Sequence, residues 1–245
     1  MFIFKVRYLI LLLLANTAWA HTAVINLSGG MASAKVGQSQ TLTMPDDYTT
    51  YRYTANPSSV EKFIYGIFVG THVPVKFPGE LQLGVSFYQP DDLTSGKSTL
   101  TQGVDAATAI QIPYNYKVKN KSLLIEARLL GTIQDLMHPY FSLGIGAAFN
   151  TTSDYAAHVP QFLTFTPEFK KNSITNFSYA VGAGIEIDIS KNTRLGVGYR
   201  LADIGKANLG EAVLDDAPFK KQLKQSNLYY QAVFGQFTWI LGTSK

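Results

Sequence analysis

The side chains able to do catalytic chemistry in this sequence are few and poorly spaced for it. Of 245 residues four are histidine and none is cysteine, which removes disulfides, thiolate metal sites, a cysteine nucleophile and a lipid-modified N-terminal cysteine. A histidine-assisted hydrolase needs a nucleophile within hydrogen-bond reach of the ring and a carboxylate behind it. His138 and Ser142 fall on the same side of an extended chain, but four residues of strand set them about 13 Å apart. His72 and His158 have no serine and carboxylate grouped around them, and His21 lies near the N-terminus. No metal-ligand spacing, phosphate-binding loop or nucleotide motif stands out. The expectation is a chain without enzymatic activity and without a cofactor.

Charges recur with more order. Glu126 and Arg128, Glu186 and Asp188, and Arg194 and Arg200 are each an even number of residues apart, so on extended chain the members of each pair share a face. If that face is enclosed, the charges must be paired, because burying a lone charge is costly. The chemistry indicated is a structural salt-bridge network; a gated, ion-selective pore is the alternative use of the same groups.

The elements that hold these charges alternate with period two. From Asn176 onward, Phe177, Tyr179, Val181, Ala183, Ile185, Ile187 and Ile189 alternate with Ser178, Ala180, Gly182, Gly184, Glu186 and Asp188. After Ser190-Lys191-Asn192 the pattern resumes, with Leu195, Val197, Tyr199 and Leu201 against Arg194, Gly196, Gly198 and Arg200. Two such runs across a short break predict a β-hairpin. Its polar face is mostly glycine, alanine and serine, whereas a water-facing strand carries long polar side chains. Small residues suit a crowded lumen with lipid on the other side, the arrangement of a transmembrane β-barrel.

The same alternation predicts strands over 23–34, 62–73, 81–89, 114–133, 140–150 and 226–241, eight in all with the hairpin. The connectors alternate long and short: polar loops over about 37–59, 90–113, 151–174 and 205–225, and tight turns at 76–79, 135–139 and 190–192. Transmembrane barrels segregate connectors in this way, with short periplasmic turns and longer external loops. The predicted fold is therefore all-β, an eight-stranded antiparallel up-and-down transmembrane barrel. Tyr140, Phe141, Tyr199, Phe237 and Trp239 fall near its expected water boundaries, where amphipathic rings favour the headgroup level.

Residues 1–20 read as a signal peptide: Lys5 and Arg7, an apolar run over 8–15, then Ala18 and Ala20 before His21, which fits cleavage ahead of His21. Residues 21–245 then form the exported barrel domain. Removing Lys5 and Arg7 leaves 19 basic against 17 acidic residues, and neither a basic run nor an aromatic ladder points to nucleic acid.

The segment 179–189 and the following Leu195-Gly-Val-Gly-Tyr-Arg-Leu-Ala-Asp203-Ile-Gly205, with His138-Pro-Tyr-Phe-Ser-Leu-Gly-Ile-Gly-Ala-Ala-Phe-Asn150 upstream, resemble small outer-membrane barrels of the opacity-protein and OmpA/OmpW-like superfamily. The resemblance covers about 21–241. It implies an eight-stranded barrel in a Gram-negative outer membrane, with variable external loops, usually no enzymatic activity, and partners among outer-membrane lipids, lipopolysaccharide and the barrel assembly machinery. Such chains commonly end on an aromatic residue, whereas here Trp239 and Leu241 are followed by Gly242-Thr-Ser-Lys245.

The function expected is structural or surface-interacting, through the external loops. Tyr48, Tyr51, Tyr53 and the stretch 159–169 place aromatics where they could meet a host or cell-surface ligand, unless these loops pack on one another or on lipopolysaccharide, and Lys170, Lys171, Lys220, Lys221 and Lys224 could meet lipopolysaccharide phosphates. Ile64, Phe68, Leu124, Leu130 and Phe234 also fall on inward faces. They mark either a partly apolar lumen, hence a narrow channel for small hydrophobic solutes or ions, or a register slip in those strands. Lipid A modification, the chemistry of some barrels of this size, is a remote reading given the histidines above.

Overall fold

In the computed structural model, residues 22–43, 50–56, 59–75, 79–95, 98–103, 109–160, 166–214 and 217–242 are described. The proposed cleavage residues Ala18, Ala20 and His21, the loop residue Tyr48, and the turn residues 76–78 lie outside them.

Eight long strands form the body: β1 (Ala23–Lys35), β2 (Ser59–Val73), β3 (Glu80–Pro90), β4 (Ile110–Leu130), β5 (Met137–Ala157), β6 (Asn172–Ser190), β7 (Thr193–Asp203) and β8 (Tyr229–Leu241). Each pairs antiparallel with the strands before and after it in the chain, and β1 pairs with β8 from Ala23 opposite Leu241 to Ala34 opposite Tyr230, which closes the ring. Closure leaves no strand edge in the wall, the condition for a sheet to cross a bilayer. No helix among the described residues is long and apolar enough to do so.

The outward face is an apolar band in which Leu27, Phe63, Ile67, Ile125, Leu143, Phe177, Val197, Val233 and Trp239 are all exposed. In water such a surface would be untenable; against lipid it is the expected one. Tyr140 is a correction to the expected boundary aromatics. It shares strand parity with Ser142 and is buried inside the barrel, while its neighbour Phe141 faces out.

Glycine makes room for the lumen contents. Glu126 lies opposite Gly144, Arg200 opposite Gly182, Glu186 opposite Gly196, Tyr140 opposite Gly184 and Phe234 opposite Gly198. Each large inward side chain thus sits beside a position with no side chain. A Cβ at Gly198 would meet the Tyr140 hydroxyl and, at 2.7 Å, the Phe234 ring. Gly198→Val is therefore expected to cost about 1–3 kcal/mol by overpacking, read as a lower urea midpoint of the folded barrel. An unchanged midpoint would mean that the lumen is looser than this packing requires.

The strands are unequal. β4 and β5 have 21 residues each and β6 has 19, whereas β7 has 11 and β1 and β8 have 13 each. A tilted span needs only about 9–11 residues, so one side of the wall projects beyond the membrane. Onto its outer end the loop strands 98–103, 50–54 and 40–43 add in that order, and 93–94 pairs with β4 as well. The other two loops supply a second small sheet of 168–169, 211–214 and 217–222. These stretches were expected as polar loops; the folded outer layer built from all four of them was not.

Candidate functional site

The lumen is built in three polar layers. At the inner mouth Arg194 donates to both carboxylate oxygens of Glu80, at 2.9 and 3.0 Å, and through Nε to Asp188 at 2.7 Å. His138 Nε2 lies 3.0 Å from the other Asp188 oxygen, and His72 Nδ1 lies 3.8 Å from Glu80. One layer up, Glu186 is fully buried and its Oε1 accepts from Arg128 at 2.7 Å, Thr238 at 2.9 Å and Gln236 at 3.0 Å. Above that, Arg200 donates to Glu126 at 2.9 Å, Ser86 donates to the same oxygen at 2.7 Å, and the guanidinium lies 3.9 Å from the centre of the Tyr88 ring. The structure therefore brings Glu126, Arg128, Glu186, Asp188, Arg194 and Arg200 together inside one lumen. The ion pairs run between strands, because residues two apart on one strand point the same way but reach different neighbours.

Glu80, Asn26, Gln82, Gln236 and Thr238 belong to these layers and were missed in the sequence. Their signal was available: Glu80 and Gln82 have the parity of Ser86, and Gln236 and Thr238 the parity of Phe234. Ile64, Phe68, Leu124, Leu130 and Phe234 are all buried inward. Phe68 lies 5.5 Å under the Arg128 guanidinium and Phe234 lies 6.5 Å from the Tyr88 ring. Where Asn26, Phe68, Tyr88, Arg128, Arg200 and Phe234 meet, the cavity left is about 10 Å³, room for a single water.

The described part of the outer layer lies over the outer mouth of the barrel. Between β7 and β8, the backbone N–H groups of Ile204, Ala207 and Leu209 donate to the carbonyls of Leu228, Gln225 and Leu223, which lays 204–209 beside 223–228. Asn150, pointing into the barrel from β5, donates to the carbonyls of Ile204 and Lys206 at 2.7 and 2.8 Å. On the far side, Gly37 N–H donates to Gln225 at 2.8 Å, Ser226 N–H to Gln38 at 2.9 Å and Lys224 N–H to Gln40 at 3.0 Å. The loop thus spans the mouth as a roof.

Beside the roof, aromatic rings pack edge to face: Tyr53 with Tyr114 at 5.4 Å and with Phe169 at 5.7 Å, and Tyr155 with Phe169 at 4.9 Å. Burial, reinforced by the neighbouring Tyr155 and Tyr114 phenols, pushes the Tyr53 hydroxyl far above the usual tyrosine range. Tyr51 and Tyr53 are buried, so of the two expected uses they take packing between the loops and not contact with a partner: they are the core that makes these loops a folded layer. The charged groups that face outward include Lys170, Lys171, Lys206, Lys220, Lys221 and Lys224, with Arg52, Glu168 and Glu211 among them.

With this geometry in hand, comparisons with known proteins agree on the fold. A family model described as the outer membrane protein beta-barrel domain matches residues 8–232. No curated protein matches the chain. Among solved structures the chain is similar to the outer membrane protease OmpT from Escherichia coli, at 7% identity over 90% of this chain and 97% of that one, with a TM-score of 0.51. It is also similar to OprG from Pseudomonas aeruginosa, at 10% identity over 91% and 97% with a TM-score of 0.44, and to neisserial surface protein A, at 12% over 87% and 95% with a TM-score of 0.40.

Proposed function

The chain belongs to the outer membrane protein β-barrel domain family, and on that premise we propose that it acts at the cell surface, without catalysis, through the outside of a barrel closed to transport. Export uses the leader 1–20, and 21–245 is the working domain. The observation that carries the reading is the contrast between a cavity of only about 10 Å³ where Phe68, Tyr88, Arg128, Arg200 and Phe234 meet and a folded outer layer whose exposed charges are mostly lysines. A rigid surface bearing ammonium groups suits a polyanionic partner. The abundant one at this location is lipopolysaccharide, and anionic host or cell-surface saccharides share its chemistry. The histidines favour no hydrolytic use: His138 is buried at the inner mouth against Asp188, and His72 lies beside Glu80.

Replacing Lys170, Lys171, Lys220, Lys221 and Lys224 together by alanine is expected to weaken binding of purified lipopolysaccharide by at least tenfold, since a lysine near a charged membrane surface contributes on the order of 1 kcal/mol before salt screening. The effect should shrink as ionic strength rises. Unchanged affinity in the folded variant would remove the loops from the binding surface.

A further inference from the structure

We propose that the lipid-facing seam between β1 and β8 is a seat for one phosphorylated glycolipid of the outer leaflet, of the lipid A class. The inference shares with the function above the outer-membrane placement and the lipopolysaccharide class of ligand, but it rests on different residues and does not depend on the loop lysines.

Two features of the seam lead to it. At the outer ends of these strands a groove of about 480 Å³ opens on the side of the barrel, lined by Lys35, Ser59, Asn227, Tyr229 and Gln231 among others. It is too large for a phosphate group alone and falls within the range of small-molecule sites. Its walls are held: Gly37 and Ser226 are tied across it by the bonds to Gln225 and Gln38, and Gln231 accepts from the Tyr199 hydroxyl at 2.9 Å. Its groups are one cation with hydroxyls and amides, suited to a phosphate on a sugar.

The height of the groove is fixed by the strands themselves. Along the outward face of β1 the order Leu27, Gly29, Met31 gives way to Ser33 and Lys35, and along β8 the order Phe237, Gly235, Val233 gives way to Gln231 and Tyr229. The groove therefore lies where the lipid-facing surface turns polar, at headgroup level.

Below it, on the same two strands, Gly29 pairs with Gly235. Gly235 is outward and open: a Cβ there would meet nothing nearer than the Gly29 carbonyl oxygen at 4.0 Å, and Gly29 is bordered by the Phe63 ring at 3.3 Å from its Cβ position. The pair is a slot in an otherwise bulky wall. Six residues separate Lys35 from Gly29, about 20 Å along a strand and, at a tilt of roughly 40°, about 15 Å in depth. That is half of a hydrocarbon core of about 30 Å. The slot thus sits where the acyl tail of an outer-leaflet lipid ends, directly under a place for its head.

Native mass spectrometry of the full barrel, extracted from outer membranes in mild detergent and offered equal amounts of deep-rough lipopolysaccharide and phosphatidylethanolamine, tests the seat. One lipopolysaccharide per barrel is expected. Lys35→Ala should reduce its retention roughly fivefold, the weight of one lysine at a charged surface. Gly235→Phe, which fills the slot from the outside and leaves the lumen untouched, should reduce it as well. Ile145→Phe, on the lipid-facing side of β5, should not. Equal retention by all four proteins, each verified as folded by heat-modifiable mobility, would overturn the proposal, as would preferential retention of phosphatidylethanolamine. If only the five-lysine variant lost binding, the loop reading would stand and the seat would fall.

Discussion

Arg200→Ala is expected to destabilise the folded barrel by about 3–5 kcal/mol, because it leaves a buried carboxylate without its partner. Arg200 and Glu126 are each about 2% exposed, and they meet at 2.9 Å across the lumen from β7 and β4. Ser86 remains as a donor to the same Glu126 oxygen, but one hydroxyl does not balance a desolvated charge. The loss should appear as a lower midpoint in urea unfolding of the detergent-folded protein. It should be largely recovered by changing Glu126 to leucine in the same chain, since removing both charges removes the penalty that removing one creates. A single substitution with no effect on the midpoint would mean that water reaches Glu126 and that the lumen is not sealed.

Tyr53→Ala is expected to have its effect elsewhere. Tyr53 is fully buried between Tyr114 and Phe169, on a loop strand attached to the barrel through 98–103. Truncating a buried aromatic costs about 3–5 kcal/mol, and here the cost falls on the outer layer. External protease should then cut within the loops much faster than in the parent, while the membrane-embedded part keeps its heat-modifiable mobility. Equal protease resistance would contradict a common aromatic core; loss of the barrel together with the loops would show that the two layers fold as one unit.

Much of the wall could be read from the chain alone, because lipid on one side and a packed lumen on the other impose period two on every strand. The alternation from Phe177 to Asp188 places Glu186 inward and Ile185 outward, as the structure does. The inward glycines were legible as a sign of crowding, although which large side chain each one accommodates depends on register with the next strand. Tyr140 shows a conflict between two local signals: its parity pointed inward and its position near a turn suggested the boundary, and parity prevailed because the ring fills space beside Gly184. Glu80 stands one residue before the predicted start of its strand, so its parity was not followed that far.

The outer layer was less legible for a physical reason. Strands such as Gln40–Thr43 are short and polar, and they are ordered by pairing with neighbours that are themselves laid on the projecting end of β4. Nothing local distinguishes them from solvated loop. The aromatics at Tyr51 and Tyr53 were visible, but whether such residues face a partner or one another is decided by tertiary packing.

The central claim is that this barrel is closed and works from its outside. Planar-bilayer conductance of the refolded chain tests it most directly, with folding verified by β-rich circular dichroism and heat-modifiable mobility. A silent membrane is the predicted result. Discrete conductance steps that change when Phe68 or Arg200 is replaced by alanine would place a pathway through the lumen and contradict it.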